Sequence, residues 1–253
     1  MSGFPDSFPE IRSFPHGVVI PAYQAAKSLP VVIRALASYV APARILVVDD
    51  GSTDGTAEAA EALGVTVVRH QANRGKGAAL MTGLTHARET QGWQWALTMD
   101  ADGQHDPRDL EGFLSRRPDE KTGIVVGARA RAGTAMPWHR RFSNASTTWL
   151  VSRFAGTPVH DAQSGYRAYR LDLLPLLDRD GRFEWESQAL IRAARAGCGI
   201  EKVPVRTVYG DQGSHMDLWR DSIRFLKMAR RLSRQSSVPG LSLPSQQGPT
   251  WTR

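Results

Sequence analysis

Short apolar runs alternate with stretches of helical periodicity through the first half of the chain. The runs are His16–Tyr23, Ile45–Asp49, Val65–Arg69, Trp95–Met99 and Gly123–Gly127. Each is too short for a buried helix and rich in β-branched residues, so each is predicted as a strand. Between them the pattern predicts helices over Ser28–Tyr39, with Ser28 as cap and Pro30 in the first turn, over an Ala-rich stretch to Leu63 capped by Thr53 or Asp54, over a segment opened by Asn73-Arg74-Gly75-Lys76-Gly77 and reaching Glu89, and from Pro107. Strands alternating with helices imply a mainly parallel sheet covered on both faces, an α/β fold. Ligands of such sheets bind beyond the carboxyl ends of the strands. Here those ends carry Pro21-Ala22-Tyr23, Asp49-Asp50-Gly51-Ser52, Asp100-Ala101-Asp102 and Gly127-Ala128-Arg129.

The alternation loosens from about Pro137. Trp138–Phe154, with His139, Arg140 and Arg141, reads as a helix, and Asp161–Arg167 as a turn leading into an extended segment to Arg170. Phe183-Glu184-Trp185-Glu186 starts a helix through Ala196, with both carboxylates in its first turn. Residues 200–209 form a last strand, placed at an edge by Pro204. Tyr209–Met216 is a polar loop of the type that closes over a ligand. The final predicted helix, 217–234, carries Leu218, Trp219, Phe225, Leu226, Ala229 and Leu232 along one side and six cations around them. Packing onto the domain accounts for such a stripe, and so does contact with an anionic bilayer. A single domain over 16–234 is expected, in halves of about 16–130 and 131–234, between a flexible leader, 1–15, and a disordered tail, 235–253.

A chain of 253 residues can bury roughly three-quarters of its unfolded surface in one domain. The formal charge of +7 suits an anionic partner without choosing among nucleic acid, a lipid head group and a phosphorylated substrate. The cations are not interleaved with aromatics in a nucleic-acid module, so no nucleic acid is expected as partner. Cys198 is the single cysteine, which excludes an intramolecular disulfide and a multi-cysteine metal site. No run approaches the roughly 18 apolar residues of a spanning helix. A cytoplasmic protein is expected, able to lie at the inner face of a membrane.

The strongest chemical signal is Met99-Asp100-Ala101-Asp102-Gly103-Gln104-His105. Continued as a strand, the segment would point Asp100 and Asp102 to one side, where two carboxylates need a cation between them, most simply a divalent metal. Gln104 can add a neutral oxygen. As a calcium loop the segment fails at its sixth position, where glycine is needed and His105 stands. Two turn-forming aspartates are the plainer reading of a lone Asp-x-Asp, but four polar strand ends at one edge favour the metal. No Gly-x-Gly-x-x-Gly follows the first strand, and no Gly-x-x-x-x-Gly-Lys-Ser/Thr is present, which argues against hydride transfer and against an ATPase. A nucleoside diphosphate substrate, with a metal offsetting the charge of the departing diphosphate, fits what remains.

Val18-Val19-Ile20-Pro21-Ala22-Tyr23, Val47–Thr56, Asn73–Ala79 and Met99–His105, in this order, resemble family 2 glycosyltransferases of the GT-A fold. Asp161-Ala162-Gln163-Ser164-Gly165-Tyr166-Arg167 is similar to the corresponding stretch of dolichyl-phosphate and polyprenyl-phosphate sugar synthases. The resemblance implies that Pro21, Ala22 and Tyr23 cradle the nucleobase, that Asp50 bonds its edge, and that Asp49 shapes the turn. It implies Mg²⁺ or Mn²⁺ on Asp100, Asp102 and Gln104, with Ala101 leaving room for the diphosphate. Lys76, Arg129, Ser214 and His215 would meet the phosphates. The chain departs from the pattern at Tyr23-Gln24-Ala25, where many relatives have an acidic residue, so base or sugar selectivity is not carried over. It also lacks, within these residues, the transmembrane tail of many lipid-using relatives, so a lipid acceptor would be reached from the membrane surface.

The function so implied is an inverting, metal-dependent transfer of a sugar from a nucleotide diphosphate sugar to a polyprenyl phosphate. Arg167 is the candidate contact to the acceptor phosphate, against a structural pairing with Asp161. Transfer to a hydroxyl is the alternative; it needs a general base, and Asp161, Glu184 or Glu186 could serve. A lipid phosphate is already ionised near neutral pH and needs none.

Overall fold

A computed structural model describes residues 17–116, 118–129, 138–177 and 185–206, the side chains of 138–143 excepted. The strands are β1 Val18–Ala22, β2 Ile45–Asp49, β3 Thr66–Arg69, β4 Trp95–Thr98, β5 Thr122–Arg129, β6 Arg167–Arg170 and β7 Gly199–Val205. They form one sheet in the order β3-β2-β1-β4-β6-β5-β7. β1, β2, β3 and β4 run parallel, as do β5 and β7, while β6 is antiparallel to both its neighbours, β4 and β5. The expected mainly parallel sheet is therefore present. The expected edge strand with Pro204 is β7, at one end of the order and paired through β5.

The helices are α1 Leu29–Leu36, α2 Thr56–Glu61, α3 Lys76–Glu89, α4 Leu110–Leu114, α5 Trp138–Ala155 and α6 Trp185–Arg195. Most match the apolar periodicity within a few residues, but two details differ. Ser28 stands at the N-cap of α1 in helical backbone and makes no side-chain cap, and α1 ends at Leu36, short of Tyr39. Asp54 does serve α2: its Oδ1 accepts from the backbone N–H of Thr56 at 3.1 Å, across Gly55 at φ +87°. Among the described residues, no helix is long and apolar enough to cross a membrane.

Every residue of β1 and β2 is buried, as the central strands of a two-faced sheet must be. α3 packs directly over them at Gly83, where a Cβ would lie 2.4 Å from Val19 Cγ1 and 2.9 Å from Val48 Cγ2. The missing side chain sets the depth at which α3 lies, and through it the position of the N-terminus at Lys76.

β6 fixes the other half of the edge. Its first residue, Arg167, lies opposite Thr98 of β4 and Val126 of β5. Because β6 is antiparallel, the Asp161–Gly165 turn that precedes it arrives at the carboxyl ends of β4 and β5. One reversed strand thus delivers the second half's turn to the edge where the first half's loops end.

Gly83→Val should lower stability by roughly 2–3 kcal/mol, because the added groups press on two immobile core valines; urea unfolding followed by circular dichroism reads the loss.

Candidate active site

The loops after β1 and β2 are stapled together. Gln24 adopts φ +52°, and its backbone N–H donates to Ser52 Oγ at 3.0 Å. Its side-chain amide donates to Thr53 Oγ1 at 3.0 Å. The N–H groups of Ala25 and Ala26 donate to Thr56 Oγ1 at 2.8 Å and Asp54 Oδ2 at 3.0 Å. Tyr23 is left 51% exposed at the rim, an aromatic face open to a planar ring. Pro21 and Ala22, expected to cradle a base beside it, are the last two residues of β1 and are buried.

Asp49 shapes the turn, with Oδ1 accepting from the Ser52 N–H at 3.0 Å. Asp50, expected on the edge of a nucleobase, is instead built into the scaffold. Its Oδ1 lies 2.7 Å from His70 Nδ1 and accepts from Arg74 N–H at 3.0 Å, and its Oδ2 accepts from Gly75 N–H at 2.7 Å. His70 reaches on through Nε2 to Thr82 Oγ1 at 2.9 Å. The Asp50 carboxylate is 3% exposed and holds the loop that starts α3, a sufficient reason for its burial. His70 and Thr82 drew no attention in the sequence, since nothing in their spacing marks them as partners of Asp50.

That loop delivers Lys76 to the centre of the edge. Lys76 Nζ is 2.6 Å from Asp100 Oδ1 and 3.2 Å from Glu186 Oε2. His105 Nε2 stands 3.6 Å from Asp100 Oδ2, and its ring packs on Tyr166 with centroids 4.9 Å apart. Burial alone would lift the Asp100 carboxyl, but Lys76 and His105 hold it well below the usual carboxylate range. Burial likewise opposes the Lys76 charge, and Asp100 and Glu186 together raise its pKa. Gly165 backs the carboxylate so closely that a Cβ there would lie 2.6 Å from Asp100 Oδ2.

β4 ends at Thr98, so the strand alternation does not carry through to Asp102. Asp100 and Asp102 sit on the turn beyond it, and Asp102 Oδ1 accepts from the Gln104 N–H at 2.9 Å. Among the described residues no three His, Cys, Asp or Glu side chains are grouped to hold a metal. The donors are nonetheless hard oxygens, two carboxylates and one amide, which suit Mg²⁺ or Mn²⁺ with further positions taken by phosphate and water. In donor chemistry these residues fit the metal, and Asp100 Oδ1, which here carries the Lys76 ammonium, is the oxygen such an ion would have to share or take over.

Two arginines are held by partners within the protein. Arg129, at the end of β5, forms a bidentate pair with Asp161, Nε to Oδ2 at 2.6 Å and Nη2 to Oδ1 at 2.7 Å. Asp161 adopts φ +50° and is buried; desolvation would raise its pKa, but Arg129 holds it below the ordinary value, which makes it a weak base. Arg167 has no exposed surface. It donates to the carbonyls of Ser164 at 2.7 Å, Glu186 at 2.6 Å and Ala162 at 2.7 Å. It ties the turn to the start of α6, neither meeting an open acceptor position nor pairing with Asp161. Arg was legible in both places as a cation, but which carbonyls or carboxylate it meets depends on the antiparallel return of β6. Glu184, Ser214 and His215, the closing loop and the 217–234 helix lie outside the described residues.

The chain matches the model of "Glycosyl transferase family 2" over residues 17–176. It belongs to glycosyltransferase family 2. This family 2 enzyme is 32% identical over 215 residues to the UDP-N-acetylglucosamine–dolichyl-phosphate N-acetylglucosaminyltransferase of Methanococcus voltae, spanning 76% of this chain and 85% of that one. It is 32% identical over 202 residues to the polyprenol monophosphomannose synthase of Mycolicibacterium smegmatis (74% and 75%) and over 209 residues to the undecaprenyl-phosphate mannosyltransferase of Micrococcus luteus (77% and 84%). Its fold is shared with glucosyl-3-phosphoglycerate synthase of Mycobacterium tuberculosis, solved with UDP, at TM-score 0.66, 20% identity and coverage of 89% and 82%. A Pyrobaculum calidifontis mannosyltransferase, solved with GDP-Man and Mn²⁺, aligns at TM-score 0.63 and 21% identity over 92% of this chain and 68% of that one. The enzyme is a glycosyltransferase with a GT-A-like fold.

Asp161→Asn keeps a residue tolerant of the left-handed backbone and removes the charge facing Arg129. It should cost about 3 kcal/mol at neutral pH. Because the folded pKa of Asp161 is depressed, the stability it contributes is present above the unfolded value near 3.9 and fades as pH falls towards the folded one. Thermal melts from pH 7 downward should therefore converge for the two proteins.

Proposed function

We propose that this glycosyltransferase moves a sugar, with inversion, from a nucleoside diphosphate sugar onto a polyprenyl phosphate, at a divalent-metal site of Asp100, Asp102 and Gln104. The reading is carried by the relatives: three proteins at 32% identity, each covering about three-quarters of this chain, are named for sugar transfer to a lipid phosphate. The residues support it from the other side. Asp161 is held in an ion pair with Arg129, and Glu186 sits against Lys76, so neither is a free base for deprotonating a hydroxyl. A phosphate acceptor brings an ionised oxygen of its own.

In this reading Tyr23 stacks on the base, at the rim left open by the stapled loops. Bound Mg²⁺ or Mn²⁺ supplies charge to the leaving diphosphate. Asp100 is kept ionised by Lys76 and His105, and Gly165 backs it closely. A single displacement by the acceptor phosphate, entering from the face opposite the diphosphate, inverts the anomeric carbon. Arg129, partly exposed and paired with Asp161, stands at the end of β5 on the same strand edge, where its charge favours phosphate. Ser214 and His215 would close on the diphosphate from the loop beyond the described residues. The cationic helix expected over 217–234 would lie on anionic lipid at the cytoplasmic face, each cation contributing about 1 kcal/mol.

The test is transfer from radiolabelled UDP- and GDP-sugars to undecaprenyl phosphate with Mn²⁺ or Mg²⁺. Label should enter the organic phase with one donor, only with metal, and Asp102→Ala should reduce kcat/KM by at least about a hundredfold. Label appearing only on water-soluble hydroxyl acceptors would overturn the lipid-phosphate assignment while keeping the donor site.

A further inference from the structure

Lys76 Nζ lies between two carboxylates, 2.6 Å from Asp100 Oδ1 and 3.2 Å from Glu186 Oε2. Glu186 has a second oxygen, Oε1, that is shut off from solvent and has no hydrogen-bond partner among the described residues. A buried carboxylate oxygen left in this way is costly unless some state of the protein supplies a donor. The Lys76 ammonium, 3.2 Å from the other oxygen, Oε2, is a mobile donor beside it, a point charge on a flexible four-carbon stem that can shift while α3 stays fixed. A divalent ion on Asp100 could not share Oδ1 with an ammonium at this separation, because the two cations would repel at close range in a partly buried site.

We propose that Lys76 is the resident counter-cation of Asp100, exchanged for the metal when it binds, and that Glu186 is the berth that receives the displaced ammonium. The inference rests on the metal reading of Asp100, Asp102 and Gln104. Glu186 is then a positioning residue acting through Lys76. In the metal-free state Lys76 divides its donors between the two carboxylates; with metal bound, it turns wholly to Glu186, and Oε1 gains the partner it lacks. Metal binding is weakened by the ammonium it must evict and helped by the carboxylate that takes that ammonium over.

The test is Mn²⁺ binding to the full chain without nucleotide, read by electron paramagnetic resonance of the free ion. Lys76→Met should tighten binding by about tenfold, and Glu186→Gln alone should weaken it by about fivefold. In the Lys76→Met background, Glu186→Gln should have no effect, since no ammonium remains to be received. An equal loss from Glu186→Gln in both backgrounds would overturn the exchange, as Glu186 would then act on the metal directly or through space. Unchanged affinity in Lys76→Met would overturn it as well. Mn²⁺ binding that is absent, or indifferent to Asp102→Ala, would remove the metal site itself and the inference with it, a result distinct from the other two. Lys76→Gln takes the place of Lys76→Met if the latter's circular dichroism departs from the parent's.

Discussion

The charge of Asp100 is the constraint around which the described part of the site is arranged. A carboxylate drawn partly out of water at the mouth of a sheet must be met by positive charge or give up its own. Here the Lys76 ammonium meets it on one side, the ring of His105 stands on another, and Gly165 closes the third without a side chain. The three come from different pieces of the fold: the first residue of α3, the turn after β4, and the turn before β6. Satisfying one charge therefore fixes the relative positions of three loops.

The supports behind these loops are themselves polar and buried. Asp50 takes two backbone N–H groups of the Arg74-Gly75 loop and the ring of His70, so the start of α3 is set by a carboxylate on a strand end. Arg167 binds three carbonyls that span the 162–164 turn and the first turn of α6, which carries Glu186. Such groups stabilise only when their partners are all in place. The edge is thus held by groups that tolerate little displacement, the condition for keeping reacting atoms aligned.

The parts of this architecture governed by local pattern were legible in the amino-acid order. Short apolar runs and period-3.6 hydrophobicity located strands and helices, Pro204 marked the edge strand β7, and ordered motifs at the strand ends marked the family. Partner choice was harder to read. The resemblance implied a nucleobase for Asp50, and Arg167 was weighed between an acceptor phosphate and a structural pairing; Asp50 is held by two backbone N–H groups and His70, and Arg167 by three carbonyls. Arg129 and Asp161 meet across 32 residues through a strand that enters backwards, and nothing local in either motif encodes that return. Lys76 carried a phosphate reading on its glycine-rich context, while its carboxylate partners stand at positions 100 and 186, the latter beyond the segment that matches the family model.

The reversed strand has a consequence for the order in which the molecule is made. β3, β2, β1 and β4 are complete by residue 98, and they pair among themselves without help from the rest of the chain. Until residue 170 has been synthesised, however, the outer edge of β4, with its buried Ala96 and Leu97, has no strand beside it. β5 waits as well, since β6 is the strand that joins it to β4. A nascent chain therefore carries an apolar, hydrogen-bonding edge through the synthesis of some seventy further residues, and such edges recruit other strands when left open. Insertion of four residues, Arg167–Arg170, ends this exposure and brings Gly165, two residues ahead of the strand, against the Asp100 carboxylate. Closure of the sheet thus supplies the wall behind Asp100 in the same folding step.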